Sequence, residues 1–175
     1  MPPQPAGLWR STYNGKSWID AEGDDRYRRG VYTYLKRTTP YPSLTMFDAG
    51  SGEVCQIRRI RTNTPLQALV TLNDPAFLEA AAALAQRLQT VDGAEARATQ
   101  GLRTALIRPI RSEEVAPLIH LQQLAHREFE AAPEKAAELI KASRAKPGST
   151  NPADLAAWIV TTSAILNLDE LLTRN

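Results

Sequence analysis

The sequence predicts an all-α protein: an irregular, aromatic-rich N-terminal segment and a long loop, packed on a bundle of about six to seven helices. Three observations carry that expectation. From Thr64 onward, apolar residues recur at three- and four-residue spacing between caps, prolines and glycines placed where helices begin and end. No stretch alternates apolar and polar residues in the way a half-buried strand does. All five tyrosines and two of the three tryptophans lie before residue 42, so the beginning of the chain differs in composition from the helical remainder.

Taken in order, residues 1–23 have three prolines, three glycines and no sustained period, and are expected to be irregular. Residues 24–38, DDRYRRGVYTYLKRT, place Tyr27, Val31, Tyr34 and Leu35 on one face at helical spacing, which predicts a helix. Residues 39–63, TPYPSLTMFDAGSGEVCQIRRIRTN, read as a long connection, and a loop of that length is usually functional or covered by a neighbouring element. Thr64 is a helix cap candidate with Pro65 at the first helical position and Gln67 three residues after the cap. Asp74 and Pro75 repeat the device, and Phe77, Ala81, Leu84 and Leu88 line one side of the helix they open. Val91-Asp92-Gly93 interrupts, Glu95 to Ile107 is helical, and Arg108-Pro109 breaks it. Ser112 is expected to cap a helix to about Glu130, Pro133 opens a shorter one ending near Ser143, and Asn151-Pro152-Ala153-Asp154 starts a last apolar helix, LAAWIVTTSAILNLDELLTR. The whole is read as a single helical domain, residues 1–175, with a loop-rich segment at 1–63 and the bundle at 64–175.

Composition excludes several classes. The formal net charge of +2 offers no footprint for nucleic acid or an anionic membrane, and no run approaches the roughly 18 apolar residues of a membrane span. A single cysteine rules out an internal disulfide, and no CxxCH haem-attachment motif is present, so no cofactor is expected in this chain. The opening MPPQPAGLW has neither the charged nor the apolar region of a signal peptide. Taken as a complete product the chain would be cytoplasmic.

The stretch CQIRRIRTNTPLQALVTLNDP, from Cys55 to Pro75, concentrates the chemistry-bearing residues. One reading is structural: Arg58, Arg59 and Arg61 brace the loop against carboxylates such as Asp48, Glu53 or Asp74, with Arg61, nearest the Thr64 helix, the expected brace. The other is a site for an anion or an acidic partner, lined by Arg58, Arg59, Arg61 and Asn63 beside a helix N-terminus. Covalent chemistry at Cys55 would require a general base, and His120 and His126 are six residues apart, which is not the spacing of one helical face; a buried, inert thiol is expected. Neither the cysteine nor the histidines show metal-ligand spacing. Early in the chain, Trp9, Tyr13, Trp18, Tyr32 and Tyr41 form a candidate aromatic interface, whose rings either stack a ligand or cover the core or a neighbouring domain. Trp158 and Phe129 sit in apolar helical stripes and belong to the core.

The ordered segments PPQPAGLW, YRRGVYTYLKRTTPYPSLTMFDA, EVCQIRRIRTNTPLQALVTLNDPAFLEAA and the closing AAWIVTTSAILNLDELLTRN resemble the C-terminal part of domain of unknown function 1553, the planctomycete PSD1 domain. The run from Arg58 to Leu69 is its most specific part. The resemblance implies a module of large exported multidomain proteins that often carry a cytochrome c domain, so haem is expected only in other domains of a parent protein. It also implies that this chain is a C-terminal fragment, that the upstream portion of the parent is a partner, and that the location is periplasmic or at the cell surface. It supplies no catalytic residues. The function expected on these grounds is a non-catalytic helical interaction or scaffold module linked to polysaccharide processing or electron transfer. The alternative is an arginine-lined site for acidic or sulfated polysaccharide, contributed to a carbohydrate-active enzyme, with Asp48, Glu53 and Asp74 as candidate carboxylates.

Overall fold

The computed structural model describes residues 18–36, 39–50, 54–55, 57–58, 62–146 and 151–173. Among them are eight α-helices and no strand, and the fold is all-α. The helices are α1 (Pro42–Met46), α2 (Pro65–Asn73), α3 (Pro75–Leu88), α4 (Ala94–Leu106), α5 (Ser112–Ala131), α6 (Pro133–Ala142), α7 (Pro152–Leu166) and α8 (Asp169–Leu172). The chain divides into two compact units, Met1–Val70 and Thr71–Asn175, with the division inside α2.

In the second unit α7 is the central element, packed against α3, α4, α5 and α6. Its sequence is apolar on every side, which fits a helix surrounded by others. Leu155, Ala156, Ala157, Trp158, Ile159 and Ile165 are all buried. Thr161 and Thr162, also fully buried, satisfy their hydroxyls on carbonyls. Thr161 donates to Ala157 O at 2.9 Å, and the Thr162 hydroxyl lies 2.8 Å from both Trp158 O and Ala81 O, the latter tying α7 to α3. Asn151 caps α7 by accepting from the Ala153 N–H at 3.0 Å, as Asp74 caps α3 by accepting from Ala76 at 2.8 Å. Gly101 of α4 permits close packing: a Cβ there would come within 3.1 Å of both Ile165 and Leu88 methyl groups. Arg97 crosses a seam between helices. It donates to Val91 O at 2.7 Å, pairs with Asp154 at 3.4 Å, and sets its guanidinium 5.8 Å from the Trp158 ring centre.

One cap differs from expectation. Arg111, not Ser112, occupies the cap position of α5, and the Glu114 carboxylate accepts its backbone N–H at 2.8 Å. Arginine has no acceptor, so only this half of a reciprocal capping arrangement forms.

In the first unit the helix expected over 24–38 is replaced by two 3-10 turns, Gly23–Tyr27 and Gly30–Tyr32, joined through extended backbone at Arg28 and Arg29. Gly23 has φ +58°, open to glycine at little cost, and Gly30 approaches α1 so closely that a Cβ would meet Leu44 at 3.3 Å. The four residues whose spacing suggested a helical face, Tyr27, Val31, Tyr34 and Leu35, are all exposed. The connection over 39–63 contains the short helix α1, opened by Pro42 at its first position.

Candidate functional site

The residues flagged by the Cys55–Pro75 stretch are organised by a polar hub built on the start of α2. Thr64 and Gln67 form the reciprocal cap their spacing predicts: the Thr64 N–H donates to Gln67 Oε1 at 3.0 Å and the Gln67 N–H to Thr64 Oγ1 at 3.3 Å. The same buried Gln67 side chain reaches further, donating from Nε2 to Met46 O at 2.9 Å and to Thr62 Oγ1 at 3.0 Å. Thr62 in turn donates to Asp48, from its backbone N–H at 2.7 Å and from its hydroxyl at 2.8 Å. Asp48 is in the left-handed region at φ 57°, which aspartate tolerates better than most residues. One amide thus links the end of α1, the loop and the first turn of α2.

Around this hub Arg58 and Asn63 are exposed, as are Val54 and Ile57. Arg59, Arg61 and Glu53 lie outside the described residues, and with them the bracing role expected of Arg61. Asp74 is the α3 cap. Cys55 is exposed, contrary to the buried thiol expected, as are the neighbouring described residues Val54, Ile57 and Arg58. Among the described residues no hydrogen bond joins it to His120 or His126; His126 faces Glu130 at 3.5 Å along α5. No group of three or more His, Cys, Asp or Glu among the described residues could hold a metal ion.

The aromatic candidates separate. Trp9 and Tyr13 lie outside the described residues. Trp18 stacks on buried Tyr41 with ring centres 5.6 Å apart and planes at 8°, an internal packing pair. Tyr32 is exposed, with the Arg28 guanidinium 5.7 Å from its ring centre, and Arg28 is itself held by Asp25 at 2.7 Å. Arg26 stands over exposed Tyr27 at 5.9 Å. Exposed Ile19, Val31 and Tyr34 complete a segment rich in large apolar side chains and arginines.

A third feature, in the second unit, was not anticipated. Arg108 is gripped by two carboxylates: Glu170 on Nε at 2.6 Å and on Nη2 at 2.7 Å, and Glu114 on Nη2 at 2.6 Å and on Nη1 at 3.0 Å. The Arg108 hydrogen bonds, with the Arg111 N–H, lower the Glu114 pKa from 4.5 to about 2, and Arg108 lowers that of Glu170 as well. The helix break at Arg108-Pro109 and the Arg111–Glu114 spacing are visible in the sequence. Glu170, far along the chain, leaves no local trace.

These features define an all-α protein with an arginine- and tyrosine-rich surface segment and a polar loop anchor, and no nucleophile–base pair among its described residues. The chain belongs to the PSD1 family, described as a protein of unknown function (DUF1553), whose model matches residues 1–121. The match ends within α5, so the closing stretch that also resembled the family lies beyond it. No curated protein and no solved structure matches the chain. No single helix among the described residues is long and apolar enough to cross a membrane.

Proposed function

We infer that the chain is a non-catalytic interaction module of a larger exported protein, and that the surface segment around residues 19–35 is what it presents to its partner. The observation that supports this reading is the exposure of Ile19, Tyr27, Val31, Tyr32 and Tyr34 within one short segment that also supplies Arg26 and Arg28. Tyrosine and arginine are the residues that interfaces favour, and isolated exposed apolar side chains would not concentrate in this way. Two 3-10 turns shape the segment, with the exposed Arg28–Asp25 pair lying across the first of them. The partner is the upstream portion of the parent protein, in an assembly concerned with polysaccharide processing or electron transfer.

Co-purification of the chain with the separately expressed upstream region tests this. The parent chain should be retained, and Tyr32→Ala combined with Val31→Ser should weaken retention by at least about tenfold, the scale of one hot-spot residue. A parent chain that fails to associate contradicts the reading. The exposure of both Arg58 and Asn63 supports a second use, an anionic-carbohydrate contact. It requires salt-sensitive binding of uronate or sulfated oligosaccharides, and flat calorimetric traces at low ionic strength would remove it.

A further inference from the structure

The C-terminal end of α4 and the turn after it enclose an open-sided cavity of about 590 Å³, lined by Thr99, Arg103, Ile107, Arg108, Pro109 and Ile110. Thr99 and Arg103 are four residues apart and so share a face of the helix, and both look onto the turn that follows. Two of the lining residues are unusual.

Ile107 is the first. It is the cap residue of α4, at φ 54° and ψ 42°, with its N–H donating to Arg103 O at 3.0 Å. Glycine normally takes this left-handed position, and a β-branched residue there is a steric outlier. Strain of this kind persists only where the surrounding structure imposes it, and the Ile107 side chain gains no burial in return, being 74% exposed. The backbone is held there from both sides: Pro109 cannot continue the helix, and Arg108 is fastened to Glu114 and Glu170 and also donates from Nη1 to Pro109 O at 2.9 Å. The result is an aliphatic side chain fixed in solvent at the edge of a cavity.

Arg103 is the second. Among the described residues its guanidinium has no hydrogen-bond or ion-pair partner. The charge of Arg108, by contrast, is outweighed by its two carboxylates, Glu114 and Glu170. The cation available to a visitor in this cavity is therefore Arg103, and the walls beside it, Ile107, Pro109 and Ile110, are apolar.

We propose that this cavity is a docking site for an acidic peptide segment of a partner protein, in which a carboxylate pairs with Arg103 and a neighbouring aliphatic side chain packs on Ile107 and Ile110. An open-sided cleft leaves much of a small ligand in water, whereas a peptide extends across it and covers both the cation and the isoleucines. The rigid turn supplies a preorganised surface, so binding does not have to order it. The site goes beyond the interaction reading above: it lies wholly in the second unit, and either can fail without the other.

The test is a titration of the intact chain, with isoleucine methyl groups labelled for NMR, by acetyl-Leu-Asp-Leu-amide and by its isostere acetyl-Leu-Asn-Leu-amide. Saturable shifts of the Ile107 and Ile110 methyls are expected with the acidic peptide. The amide isostere, and Arg103→Gln with the acidic peptide, should each bind at least about tenfold more weakly, as loss of a hydrogen bond to a charged group implies. Ile107→Gly separates function from folding. It relieves the left-handed strain, so its melting midpoint should rise while the Ile110 shifts weaken. Equal shifts with both peptides, undiminished binding to Arg103→Gln, or no shift at millimolar peptide would each overturn the proposal.

Discussion

The two units of this chain are held together by different chemistry. In the second, α7 passes through the middle of the helices with nine of its fifteen residues buried, and its buried threonines, Thr161 and Thr162, donate to nearby carbonyls. In the first, the described helices are short, and the join between the end of α1, Thr62 and the start of α2 rests on one buried amide, Gln67, with the Thr62–Asp48 bonds beside it. Apolar burial is spread over many contacts and loses little from any single polar change. A hub that serves several backbone and side-chain groups through one residue fails locally when that residue is removed.

Perturbations of the two units should separate them. Trp158→Ala removes a side chain that is 1% exposed and flanked by Arg97, and should destabilise the second unit by about 3–5 kcal/mol in chemical denaturation. Gln67→Ala strands the Thr64 N–H and Met46 O and should cost about 1–3 kcal/mol, confined to the first unit. Asn151→Ala removes the cap of α7 and should cost about 1 kcal/mol in the second unit, read as a lower denaturant midpoint with an unchanged slope.

The last and smallest effect depends on pH. Because the Glu114 pKa is depressed in the folded protein, its contribution is fully present above the ordinary value of 4.5 and is lost as pH falls through about 2. Acid titration of Glu114→Gln beside the parent should therefore show a shallower loss of stability between those values. Superimposed curves would mean that the grip on Arg108 carries no folding energy.

The same contrast explains what could be read from the sequence. Helix period, proline at first helical positions and the Asp74, Thr64 and Asn151 caps are local signals, and they place the starts of α2, α3, α6 and α7 within a residue or two, whereas the last helix, expected to run on through LNLDELLTR, breaks after Leu166 and resumes as α8. The 24–38 stretch has a helical period too, but period states only which residues could share a face, and here those residues are exposed and the backbone forms two 3-10 turns instead. The cap function of Gln67 was legible at three-residue spacing. Its reach to Met46 and the partnership of Thr62 with Asp48 were not, because they join residues separated by a loop with no repeating pattern. Glu170 on Arg108 and Thr162 on Ala81 were hidden for the same reason, since contacts distant in sequence leave no periodic mark. Of the candidate site residues, Trp18 and Tyr41 proved to pack on each other, which composition alone could not distinguish from an exposed aromatic surface.

The central claim is that the first unit depends on the Gln67 hub and the second on the α7 core. Native-state hydrogen exchange of the intact chain, parent beside Gln67→Ala, tests it most directly. The account predicts that the amides of Thr62 and Thr64 lose protection in the variant while those of Ile159, Thr161 and Thr162 in α7 keep theirs. Loss of protection in α7 to the same extent as at Thr62 and Thr64 would contradict it.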